Sequence, residues 1–114
     1  MSEDNSNAPA DDIAKPMLNG KPLRVLSIRS RRHLKRVEAA AATTKKEAAR
    51  LMGVSPSTLS SEGVELFQGE NYDRIVTSPG VTFMAHQGGT PEERSFVPDA
   101  DFVDFVKRVY KYHF

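Results

Sequence analysis

Between Thr43 and Ser61 the chain reads TTKKEAARLMGVSPSTLSS, which puts two helix starts and one helix stop into a single short stretch. Thr44-Lys45-Lys46-Glu47 has capping-box spacing: the threonine hydroxyl accepts from the Glu47 amide while the Glu47 side chain reaches back to the Thr44 amide. Gly53 ends that helix, because glycine enters the left-handed conformation at little steric cost. Ser55 then caps a second helix, and Pro56 is pre-set for its first position. Ala48, Ala49 and Met52 form the packing side of the first helix, with Leu51 also available, and Leu59 faces back from the second. Two helices meeting across so tight a turn must pack on one another, so the rest of the chain has to cover this corner.

The chain has 114 residues and a net charge of +1, enough for one domain with a core that is sufficient but not generous. The small net charge conceals a segregation: residues 1–14 carry −4, residues 15–50 carry +9 and residues 51–114 carry −4. A basic block leading straight into the helical corner is a candidate footprint for a polyanion. There is no cysteine, which excludes disulfides, thiolate metal sites and a Cys nucleophile. No apolar run approaches the roughly 20 residues needed to span a bilayer. The acidic start MSEDNSNAPADD has no apolar segment of signal-peptide type, so the expectation is a cytoplasmic protein.

Residues 1–16 read as a disordered acidic tail and residues 17–114 as a single domain. NGKP at 19–22 is turn chemistry. LRVLSIR at 23–29 reads as a short strand or an extended lead-in. Ser30 is placed to cap a helix running to about Ala42, with Leu34, Val37 and Ala41 as its apolar stripe and the alanine run 39–42 as a good helix former. Two β-like runs, 72–77 and 81–86, flank Ser78-Pro79-Gly80, a type II turn sequence, and predict a hairpin over 72–86. This hairpin reads as a small sheet over the core, with a wing beside a ligand through Arg74 as its second use. After a polar loop, residues 99–114 read as an amphipathic helix, acidic at its start and basic at its end. The fold class expected is α+β: a small helix-turn-helix helical domain with a short β-hairpin and a C-terminal amphipathic helix.

Ala49, Gly53, Val54 and Leu59 stand at the spacing used by the helix-turn-helix of phage and bacterial repressors, and the segment resembles that superfamily, including regulators of the Cro, CI and CII kinds. The resemblance covers about 20 of the residues. It departs from the pattern at Glu62, where an apolar residue is usual, and Gly63 follows at once. The second helix is therefore expected either to stop near Ser61 or to hand its packing to Val64 and Leu66.

The resemblance implies that the second helix enters the major groove of double-stranded DNA and offers Ser55, Ser57, Thr58, Ser60 and Ser61 to base edges. None of these short side chains makes the two-pronged contacts of Arg to guanine or Asn and Gln to adenine, so direct readout is modest. Affinity then comes mainly from phosphate contacts, for which Arg29, Arg31, Arg32, Lys35, Arg36, Lys45, Lys46 and Arg50 are the candidates. Phe102, Phe105, Val109 and Tyr112 recur at helical spacing; the stripe either closes the monomer core or forms a homodimer interface, for which these four are the candidates.

His33, His86 and His113 lack metal-ligand spacing, no serine sits in a nucleophile elbow, and HQGGT is not a phosphate loop. The expectations are no metal, no cofactor, no small-molecule substrate and no enzymatic activity. The sequence reads as a DNA-binding transcriptional regulator, a dimeric repressor acting by operator occlusion. Its rivals are a protein-interaction module, such as an inhibitor or adaptor, and an RNA-binding protein using an Arg-rich helix at 29–36.

Overall fold

The computed structural model of the chain describes residues 16–109. Residues 1–15 of the expected acidic tail, and residues 110–114 at the end of the expected C-terminal helix, lie outside the described residues.

In chain order the elements are β1 (Met17–Leu18), β2 (Lys21–Pro22), β3 (Arg24–Arg29), β4 (Arg36–Ala42), α1 (Lys45–Met52), α2 (Pro56–Glu62), β5 (Val64–Leu66), α3 (Glu70–Val76), β6 (Phe83–His86), β7 (Val97–Pro98), a 3-10 turn (Asp99–Asp101) and α4 (Phe102–Val109). β1 and β2 form a separate two-stranded ribbon closed by Asn19 and Gly20, both at positive φ, which is the turn geometry Asn-Gly favours. The other five strands form one sheet in the order β5-β3-β4-β6-β7, every neighbouring pair antiparallel.

The expected small helical domain is overturned by this sheet, which forms the centre of the molecule with helices on both faces. The largest departure lies at 30–42, where a helix is expected and a hairpin loop followed by strand β4 is found. Ser30 does perform capping chemistry: its hydroxyl accepts from the amides of Arg32 (3.1 Å) and His33 (2.9 Å). The turn it nucleates stops there, because the Ser30 amide donates to the Arg36 carbonyl (2.8 Å) and folds the chain back on itself. β4 then pairs with β3 on one side and β6 on the other, and Ala39–Ala42 are buried on both faces. Alanine's helix preference is worth only tenths of a kcal/mol per residue, too little against two backbone ladders and double-sided burial. The small methyl groups also let helices approach the sheet closely from either side. Of the expected apolar stripe, Ala41 is buried and Val37 half-buried, while Leu34 is 87% exposed in the hairpin loop.

The hairpin expected at 72–86 is likewise corrected. Its turn is present: Gly80 has φ +86° and the Val81 amide donates to the Ser78 carbonyl (3.3 Å), as a Pro-Gly type II turn requires. What precedes the turn is helix α3 rather than a strand. Tyr72, Ile75 and Val76 stand at i, i+3 and i+4, a helical stripe that buries Ile75 and Val76 against Val25, Ala39, Ala41, Phe83 and Ala85. Arg74 is not on a wing: it donates to the Asn71 side chain (3.1 Å) and the Phe96 carbonyl (3.0 Å), tying α3 to the chain that leads into β7.

The opposite face of the sheet carries the helical corner. Leu26, Ile28, Ala40 and Ala42 point at it and bury Ala48, Ala49, Met52 and Leu59. β3 and β4 thus serve two cores by strict alternation, the period of two that sends successive side chains to opposite faces.

Candidate nucleic-acid interface

The corner forms as its local chemistry dictates. The Thr44 hydroxyl accepts from the Glu47 amide (3.1 Å) and opens α1. The return arm of the expected capping box is absent, because the Glu47 carboxylate takes the Arg50 guanidinium instead. That hydrogen bond is the chief reason the Glu47 carboxyl sits below its ordinary range and Arg50 above its own. Gly53 ends α1 at φ +69°, and its neighbour Val54 donates to the Ala49 carbonyl (3.0 Å). Ser55 accepts from the Thr58 amide (3.1 Å) and opens α2, with Pro56 in its first turn. Ala49, 1% exposed, and Leu59, 2% exposed, hold the two helices to the sheet.

Within α2, Leu59 is the buried residue, so the helix lies on the surface. Ser55, Ser57, Ser60 and Ser61 are exposed and Thr58 is half-buried. Their hydroxyls are mutually engaged. Ser55 donates to Thr58 (2.9 Å) and lies 3.2 Å from Ser57, and Ser61 donates to the Thr58 carbonyl (3.3 Å). Ser60 accepts from the Lys45 ammonium (3.0 Å) and keeps its own O–H for a further partner.

Gly63 is the close approach that lets the chain leave α2 and enter the sheet. A Cβ there would lie 2.5 Å from the Leu59 carbonyl oxygen and 2.6 Å from a Leu59 methyl. α2 therefore ends at Glu62, and Val64–Leu66 become an edge strand beside β3 rather than an extension of the helix. Glu62, the departure from the repressor pattern, faces outward and takes Arg31 from the β3–β4 loop.

That loop is the feature sequence reasoning missed as an element. Its residues 31–35 span the gap between β3 and β4 and stand beside the helical corner. Arg32 donates to the Leu51 carbonyl (3.2 Å) at the end of α1 and to the buried Glu38 carboxylate, and its side chain lies over Gly53, where an added Cβ would be 3.1 Å from Arg32 Cδ. Arg31 meets Glu62 at the end of α2. α2 is thus flanked by Lys45 on α1 and by Arg31 on the hairpin.

The eight candidate cations divide by what they already do. Arg32 is a structural brace, and its pKa is raised chiefly by the hydrogen bond with Glu38. Arg36 is half-buried, its guanidinium 4.6 Å from the Phe102 ring centre and one nitrogen 3.7 Å from the Met84 sulfur, and so is spent inside the fold. Arg31 and Arg50 are exposed but paired with Glu62 and Glu47. Lys45 is half-buried against Ser60. Among the described residues, Arg29, Lys35 and Lys46 are exposed cations with no ion pair. A cleft of about 330 Å³ beside the turn is lined by Lys46, Glu47, Arg50, Val54 and Pro56.

Phe102 and Phe105 are 2% and 7% exposed, so the rings nominated for a dimer interface are already covered by the chain itself. Val109 is half-buried and Tyr112 lies outside the described residues. The Arg-rich helix at 29–36 that RNA binding would use does not exist: those residues are strand, loop and strand. No helix among the described residues is long and apolar enough to cross a membrane.

Comparison with known proteins finds no matching family model, no similar curated protein and no similar solved structure.

Proposed function

We propose that the chain is a double-stranded DNA-binding transcriptional regulator that lays α2 in the major groove. The observation that carries this reading is the exposure of a two-turn helix held by one buried side chain, Leu59, with Lys45 and Arg31 at its flanks. An exposed serine-lined helix has little to gain as a packing element, but it is narrow enough for a groove roughly 12 Å wide. Lys45 and Lys46 supply phosphate contacts. Ser60, exposed and with its O–H available, is the leading base contact, and the short reach of the helix's other hydroxyls favours DNA shape and bridging water as the source of the remaining specificity. Occupation of an operator would act by occluding polymerase. The burial of Phe102 and Phe105 gives no support to a dimer joined through them, so the reading is made for one copy of the chain.

Selection from random duplexes, followed by binding at several salt concentrations, tests the reading. It expects an enriched sequence and an affinity falling steeply between about 50 and 200 mM salt, by counterion release. Salt-insensitive binding, or no binding to any duplex, would remove it.

A further inference from the structure

The β3–β4 loop carries an apolar side chain where the surrounding chemistry is cationic. Leu34 is 87% exposed; near it, Arg31 pairs with Glu62, Arg32 pairs with Glu38, and Lys35 is an exposed cation with no ion pair. A lone exposed leucine on an ordinary surface needs no explanation. This one sits on a loop that is held from several sides. The Ser30 hydroxyl accepts from the amides of Arg32 and His33 and donates to Glu38 (2.6 Å). The Lys35 carbonyl accepts from the Gln87 amide (2.9 Å), and Lys35 itself adopts φ +59°, an uncommon conformation for a residue with a Cβ. Arg32 ties the loop to the end of α1 and to the buried Glu38, and Arg31 lies against Glu62 at the end of α2. The ordering entropy of the tip is thus met on folding and not on binding.

Building on the duplex-binding reading, we propose that this hairpin is a second DNA-contacting element, with Leu34 as a wedge. While α2 occupies the major groove, the tip enters the adjoining minor groove. Leu34 inserts at a base step, and Lys35 holds a phosphate beside it. Insertion of an apolar side chain partly unstacks the step and kinks the duplex by about 20–90° toward the major groove. Flexible pyrimidine–purine steps are cheapest to open, so the wedge would also select sequence at a position where it makes no hydrogen bond.

The test is end-to-end fluorescence transfer on a selected duplex labelled at both ends, with wild type, Leu34→Ala and Leu34→Phe. Because Leu34 is exposed, both variants should fold, which circular dichroism checks. The expected result is a bend with wild type and with Leu34→Phe, and loss of most of that bend with Leu34→Ala. Leu34→Ala should also bind intact duplex about tenfold more weakly, while losing little on a duplex already kinked by a mismatch at the step. Binding by wild type without bending, or equal bending by Leu34→Ala, overturns the wedge and leaves the groove-binding helix standing. Absence of duplex binding overturns both.

Discussion

The guanidinium of Arg32 closes on the carboxylate of Glu38, a residue with no solvent exposure that points from the central strand toward the helical corner. The Ser30 hydroxyl donates to the same carboxylate, and Arg32 continues to the Leu51 carbonyl. One buried charge thereby joins the sheet, the hairpin loop and the first helix of the corner. The candidate interface is built around this junction, since it sets where the loop stands relative to α2.

Removing one member of that pair should cost more than removing both. Arg32→Met leaves a buried carboxylate with Ser30 as its remaining neutral donor, an expected loss of about 3 kcal/mol. Arg32→Met combined with Glu38→Leu restores an apolar junction and should recover part of that loss. Urea denaturation of the two single variants and the double variant measures the coupling; strictly additive losses would mean that the pair is not energetically linked.

Gly53→Ala should destabilise by about 1–2 kcal/mol. The left-handed backbone there penalises a Cβ, and the new methyl would press on the Arg32 side chain at 3.1 Å. Gly53→Asn should lose less in backbone energy, because asparagine tolerates this conformation, yet it still crowds Arg32. The order of thermal midpoints, wild type above Asn above Ala, is the check.

Lys45→Ala combined with Lys46→Ala should weaken binding to all duplexes alike and lower the slope of log affinity against log salt by about 2. A loss confined to one sequence would instead make these lysines base readers. Lys46 is exposed and Lys45 half-buried, so the folded state should change little.

Glu62→Gln acts in the opposite direction. The carboxylate at the end of α2 occupies Arg31 and repels phosphate. Neutralising it should raise duplex affinity roughly two- to tenfold and steepen the salt dependence by about one phosphate contact. The exposed ion pair contributes little to folding, so stability should change by less than about 1 kcal/mol. Unchanged affinity would put Arg31 and Glu62 away from the bound duplex.

The sequence by itself determined the local punctuation. Thr44, Gly53, Ser55 with Pro56, Asn19-Gly20 and Ser78-Pro79-Gly80 all act over three or four residues, through one hydroxyl, one ring or one absent Cβ, and each does in the fold what its chemistry dictates. Ala49 and Leu59 were legible for the same reason, because capped helices fix which side chains turn inward. The tertiary structure alone decided what lies between those marks. Ala39–Ala42 became a strand because β3 and β6 flank them, and 72–76 became a helix because one stripe of it covers the sheet. Those interactions couple residues far apart in the chain, and they outweigh propensities of a few tenths of a kcal/mol. The same distant pairings sorted the cations, sending Arg36 to Phe102 and Arg32 to Glu38 while leaving Arg29, Lys35 and Lys46 to solvent. A count of basic residues along the chain carries no record of which will be spent inside the fold.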